Sequence, residues 1–134
     1  MRKSRKAHSR LLLIAPPNSY RTVAYLEATR RRGVDVLVAS EGEHSLVSEI
    51  ASGLHVDLSA ADALDHLLEA AREQPFDGVV ATDDTTVELG SRIARALGLP
   101  HNEPGAALAT RRKDLSRGAL RDAAVSIPDF RVID

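Results

Sequence analysis

Four short apolar runs recur along the chain, at residues 11–15 (LLLIA), 34–39 (VDVLVA), 54–58 (LHVDL) and 76–81 (FDGVVA), and helical spacing fills most of the gaps. Each run reads as a buried strand. Residues 19–32 read as a helix with Val23, Ala24, Leu26 and Ala28 available for packing, and Gly33 is placed to end it. Residues 46–51 suggest a short helix, and residues 62–73 a longer one with Leu64, Leu67, Leu68 and Ala71 on one face. From about residue 85 to 97, Val87, Gly90, Ile93, Ala94 and Leu97 share a stripe. Strand–helix units of this length imply a parallel sheet with right-handed crossovers. The expected fold class is α/β, a three-layer α/β/α Rossmann-like sandwich with a mostly parallel sheet of about four strands.

The 134 residues and 43% hydrophobic content suit one core. Eighteen Lys and Arg against 19 Asp and Glu leave a net charge of −1, so the chain as a whole has no electrostatic pull toward nucleic acid or acidic lipid. The absence of cysteine removes disulfides, thiolate zinc sites and cysteine nucleophiles, and is compatible with the cytoplasm. Aromatics are limited to Tyr20, Tyr25, Phe76 and Phe130, which argues against a stacking platform for single-stranded nucleic acid. Residues 1–9 read as a basic solvated tail, with an electrostatic arm for RNA, DNA or anionic surfaces as the lesser reading. The apolar run after it is too short for a signal core and ends at Pro16-Pro17 without a cleavage site, and no other stretch could span a membrane.

In open parallel sheets ligands bind beyond the carboxyl ends of the strands. The first such loop, Pro16-Pro17-Asn18-Ser19-Tyr20-Arg21, lacks G-x-G-x-x-G, and the chain contains no P-loop. Asn18 or Ser19 could simply cap the next helix; alternatively this helix terminus, helped by Arg21, receives a substrate carboxylate or phosphate. After the second strand, Glu41, Glu43 and His44 read as a solvated loop. After the fourth, Asp83 and Asp84 could hold magnesium or a substrate amine, while Thr85 and Glu88 have capping-box spacing. The histidines show no metal-ligand spacing, and no G-x-S-x-G elbow is present. Asp57 near the end of the third run raises a receiver domain, but the first loop lacks the acidic pair such a domain uses.

The stretch LGLPHNEPGAALATRRKDLSRGALRDA, residues 97–123, ends one helix, restarts near Pro104 with a short helix over 106–110, and runs from Arg111 into another with Leu115, Ala119 and Ala123 repeating every four residues. Residues 125–130 then read as an extended exit. The basic cluster is either a solvated helix face or the source of a lysine that reaches a phosphate as a flexible point charge.

This stretch resembles the junction in ATP-grasp ligases, where a Rossmann-like pre-ATP-grasp domain passes through LGLP-x-N-x-P-x-A and R-x-K into a helix ending in G-V-P-x-P-x-F. Tyr20-Arg21 and Thr82-Asp83-Asp84 join the resemblance, which is nearest the biotin-carboxylase-like and amino-acid-ligase branch. Arg111-Arg112-Lys113 stands where R-D-K is usual, and residues 125–130 depart from the G-V-P-x-P-x-F exit. The resemblance implies nucleotide binding by Lys113, substrate binding by Ser19, Tyr20, Arg21, Asp83 and Asp84, and the use of ATP and Mg2+. It implies a ligase that activates a small-molecule carboxylate or amino acid as an acyl phosphate and joins it to an amine, or a carboxylase of that type. The second lysine, glycine-rich loop and acidic magnesium ligands of such enzymes are not found here. The expectation is therefore an N-terminal fragment, not itself catalytic, organised as tail 1–9, pre-ATP-grasp domain 10–104, and a linker helix with the start of a grasp domain at 105–134. Expected partners are the small-molecule substrate and a second copy in a homodimer, with neither nucleic acid nor membrane. The competing expectation is a free-standing Rossmann-like module that binds a small ligand or docks on a protein without catalysis.

Overall fold

The computed structural model describes residues 9–41 and 52–133. Four strands, β1 (Arg10–Ile14), β2 (Asp35–Ser40), β3 (Ser52–His55) and β4 (Gly78–Ala81), form one sheet in the order β3-β2-β1-β4. All three pairings are parallel, with Leu12 opposite both Leu37 and Val79. The helices are α1 (Thr22–Arg32), α2 (Ala63–Glu73), α3 (Val87–Ala96), α4 (Pro104–Arg111) and α5 (Lys113–Asp122). The expected parallel α/β sandwich is what forms.

Alternation along the strands divides the core. Leu12, Ile14 and Ala39 point to one face, where α2 supplies Ala63, Leu67 and Ala71 and α3 supplies Ile93. Leu13, Ala15 and Val38 point to the other and meet Leu26 of α1. Because successive strand residues face opposite sides, a continuous apolar run such as Leu11–Ala15 suits only a strand covered on both faces. Gly90 lets α3 come down on β4: a Cβ there would stand 3.1 Å from that of Ala81.

Several element ends differ from the sequence reading. Helix α1 begins at Thr22 rather than residue 19, because the Ser19 amide bonds Pro16 O at 3.0 Å and the Thr22 amide bonds Ser19 O at 3.3 Å, closing turns first. Neither Asn18 nor Ser19 caps it. Strand β3 lies two residues earlier than expected at its start; Val56 still donates to Ser40 O, but Asp57 then accepts from the amide and hydroxyl of Ser59 and turns the chain out of the sheet. The capping box at Thr85 and Glu88 does not form, since α3 starts at Val87 and its cap residue is Thr86, whose hydroxyl bonds Asp83 O. The boundary expected between a short helix over 106–110 and another from Arg111 falls instead at Arg112, which is extended (φ −102°, ψ 94°) and separates α4 from α5, so that Arg111 ends the first of them. The short helix expected at 46–51, the Glu43–His44 loop and most of the basic tail lie outside the described residues.

Candidate functional site

The strand order fixes where a site belongs. The chain leaves β1 toward β2 and β3 on one side and returns to β4 on the other, so the loops after β1 and β4 diverge from a crevice at the carboxyl end of the sheet. Ser19, in the first loop, has its hydroxyl 3.1 Å from that of Thr82 at the end of β4, and Thr82 donates to Asp83 Oδ2 at 2.7 Å. Ser19, Thr82 and Asp83 thus form one hydrogen-bonded cluster, with both hydroxyls within reach of the carboxylate system. Arg21 clamps the same corner: it donates to Thr82 O at 3.2 Å, and its guanidinium also bonds and overlies Tyr20. The hydroxyls of Ser19 and Thr82, with a smaller pull from Arg21, hold the Asp83 carboxyl below the usual carboxylate range.

Beside this corner opens a cleft of about 670 Å³. Its walls come from every loop at the carboxyl end: Pro17 and Asn18 after β1, Glu41 after β2, Ser59 after β3, and Thr85 before α3. Leu58, Leu64 and Leu89 give it an apolar side, and Arg92 of α3 and Arg111 of α4 give it cations. Glu41 is engaged, accepting from the Leu58 amide at 3.0 Å.

Of the residues singled out from the sequence, Ser19, Tyr20, Arg21 and Asp83 are brought together, although Tyr20 is 81% exposed. Asp84 is exposed and outside that network, and Lys113 is exposed at the first position of α5, away from the cleft walls. Sequence reasoning missed the buried Thr82 as the link between the loops, and took Arg111 only as one of a basic cluster. The available signal for Arg111 was its place at the end of a short helix after a Pro104 restart, which folds α4 back along α3. Pro104 shares a second hollow with Arg95 and Ala96, while Arg111 shares the cleft with Thr85 and Glu88, so the two helices run antiparallel.

The model of the ATP-grasp N-terminal domain matches residues 26–101, from within α1 to beyond α3 and thus more than half of the chain. The chain belongs to the ATP-grasp N-terminal domain family. The matched segment contains Asp83, Glu88 and Arg92, while Ser19, Arg21, Arg111 and Lys113 lie outside it. Among solved structures, the L-amino acid ligase from Bacillus licheniformis superposes with a TM-score of 0.78 at 20% identity, over 92% of this chain and 32% of that one. Phosphoribosylglycinamide synthetase from Anaerococcus prevotii gives 0.69 at 18% identity, over 86% and 29%. The ADP complex of purK, an N5-carboxyaminoimidazole ribonucleotide synthetase, gives 0.66 at 13%, over 92% and 31%. These ATP-grasp N-terminal folds are alike in architecture, and this chain spans about a third of each. A comparison with curated proteins finds no match.

Proposed function

We propose that this chain is the N-terminal substrate-binding domain of an ATP-dependent ligase, which activates a carboxylate as an acyl phosphate and joins it to an amine in carbon–nitrogen ligation or a related carboxylation. The observation that carries the reading is a cleft at the carboxyl ends of the strands, flanked by the Ser19–Thr82–Asp83–Arg21 corner, in a member of the ATP-grasp N-terminal domain family. The three neighbours, each about three times as long, are ligases or synthetases by name, and one was solved with ADP.

Within the chain, binding and orienting substrate are the roles assigned. The Thr82 and Ser19 hydroxyls fix the Asp83 carboxylate as a hydrogen-bond acceptor for a substrate amine, and Arg21, tied to the Thr82 carbonyl, keeps the loop in register with it. Asp84 adds a second carboxylate at the rim. ATP and Mg2+ are the cofactors proposed for the full-length ligase; among the described residues no group of three or more His, Cys, Asp or Glu could hold a metal. Among the described residues no helix is long and apolar enough to cross a membrane; the cytoplasm is the compartment proposed.

Lys113 is the nucleotide contact proposed. Arg112 forks onto Asp114 through bonds of 2.9 and 2.6 Å, which satisfies that carboxylate and leaves the Lys113 ammonium outside any ion pair among the described residues. In the full-length ligase, Lys113→Ala should raise the apparent KM for ATP about ten- to hundred-fold, the equivalent of losing about 1.5–3 kcal/mol in a charge-assisted contact. Arg112→Ala should leave it nearly unchanged. Equal shifts at both positions would reduce the cluster to surface charge. A ligand-binding module without catalysis is the second reading, favoured by a cleft lined from the loops after β1, β2 and β3; absence of ATP-dependent product from the full-length protein would select it.

A further inference from the structure

Glu88 and Arg92 stand one helical turn apart on α3, the spacing at which a Glu and a following Arg ordinarily pair. Among the described residues they do not pair with each other or with anything else; Arg95, the next guanidinium along, is the one that finds a carboxylate, that of Glu103 at 3.1 Å. Arg111 is likewise without an ion-pair partner among the described residues. All three unpaired groups line the same cleft, and Glu41, the other charge there, is already bonded to the Leu58 amide. Among the described residues the cleft therefore presents one unpaired carboxylate and two unpaired guanidinia, beside an apolar wall of Leu58, Leu64 and Leu89.

We infer that this cleft binds an α-amino acid with an apolar side chain, its carboxylate against Arg92 and Arg111, its ammonium against Glu88, and its side chain on the leucine wall. A simple anion would leave Glu88 facing its own charge, and a simple amine would face two guanidinia; a zwitterion satisfies both signs at once. Each guanidinium also supplies the planar, multi-donor fork that carboxylates favour. The inference rests on reading the cleft as the substrate site, and it names residues different from those at the Asp83 corner.

The test is titration of the 134-residue protein, without ATP, by three probes followed through amide and arginine Nε resonances: L-leucine, 4-methylpentanoate, which lacks the amine, and 3-methylbutylamine, which lacks the carboxylate. L-Leucine should give saturating shifts concentrated at residues 85–92 and at the side chains of Arg92 and Arg111, and each analogue should bind at least about ten-fold more weakly. Arg111→Gln should weaken L-leucine about ten-fold and leave 3-methylbutylamine unchanged; Glu88→Gln should leave 4-methylpentanoate at least as tightly bound and bring L-leucine down to it. Should a variant lose its folded spectrum, the three wild-type titrations decide alone. No saturation by L-leucine, or equal binding of L-leucine and 4-methylpentanoate, overturns the proposal, as do saturating shifts confined to residues 19–21 and 83. Because ATP is absent, a failure here leaves the Lys113 result standing, and a failure of ATP-dependent ligation leaves the binding result standing.

Discussion

Asp83 is a residue whose ionisation is tied to the fold across a long sequence separation. Its carboxyl is held below the ordinary value, near 3.9 for a free aspartate, by the Ser19 and Thr82 hydroxyls and by Arg21. A carboxyl whose folded pKa is depressed stabilises the protein above the unfolded pKa and loses that contribution as pH falls through the folded one. Solvent screening keeps the contribution small. Asp83→Asn should therefore melt slightly below wild type at pH 7, and the gap should close in acid below about pH 4. Asp57 and Asp114 are shifted the same way by Ser59 and Arg112, but both remain in either protein and cancel in the difference. Paired thermal melts from pH 2.5 to 7 check this, and a gap that widens in acid contradicts it. Packing at single residues makes a second expectation. A Cβ on Gly90 already presses the Ala81 Cβ at 3.1 Å, so the branched side chain of Gly90→Val should cost about 1–3 kcal/mol in chemical denaturation. At Gly78 the obstruction is the flexible end of Leu11, so Gly78→Ala should cost less.

At the scale of elements, three helix ends close in the same way. After α1, the Gly33 amide bonds Arg30 O and the Val34 amide bonds Thr29 O; after α3, Gly98 and Leu99 bond Arg95 O and Ala94 O; after α5, Ala124 and Val125 bond Arg121 O and Leu120 O. The closure needs a left-handed residue, supplied by Gly33 (φ 64°), Gly98 (φ 67°) and Ala124 (φ 58°). Ala124 is the one non-glycine residue with positive φ among those described, and its Cβ makes that conformation costly. Gly33→Ala should lower global stability by about 1 kcal/mol, read by denaturant unfolding. Ala124→Gly should slow amide exchange in α5 by about five-fold, corresponding to roughly 1 kcal/mol, without moving the global midpoint, because α5 buries no residue. These ends also show what could be read beforehand. Gly33 announced its helix end because glycine after a helical pattern has a local cause. The start of α1 was not legible, since the Ser19 hydroxyl that would have capped it is used 63 residues away on Thr82. The two helices after Pro104 were expected as two, but the place of the break, Arg112 itself, was hidden, because nothing in R-R-K-D fixes where one helix stops and the next begins.

Across the whole molecule, the sheet was legible because a run such as LLLIA can be buried on both faces only between helical layers. The corner at Ser19 and Asp83 was half legible, its loops located by the strand-end rule but joined through a threonine that carries no motif. The Glu88–Arg92–Arg111 cleft was barely legible: the Pro104 restart marks a new helix, but the packing of α4 back on α3 that brings Arg111 to the cleft is a tertiary outcome.

That folding back also decides where the stable unit ends. Helix α4 buries Ala107 and packs on α3, whereas α5 contacts α4 and has no fully buried residue. Residues beyond it include Val132 and Ile133, which are 66% and 91% exposed. Removing residues 113–134 takes away no fully buried residue, only half-covered ones such as Leu115 and Leu120, so the shortened protein should keep one cooperative transition with a midpoint within a few degrees of the parent. Removing residues 104–134 strips α4 from α3, taking with it the buried Ala107 and uncovering the face of α3 on which α4 packs. At roughly 25 cal/mol for each Å² of apolar surface returned to water, losing even 100 Å² costs about 2.5 kcal/mol, which is a large share of the 5–15 kcal/mol that holds an ordinary domain. The second truncation should therefore melt well below the first, by about 5 °C or more. A domain boundary at residue 104 makes the opposite forecast, with both truncations equally stable, and thermal unfolding of the two shortened proteins beside the parent separates them.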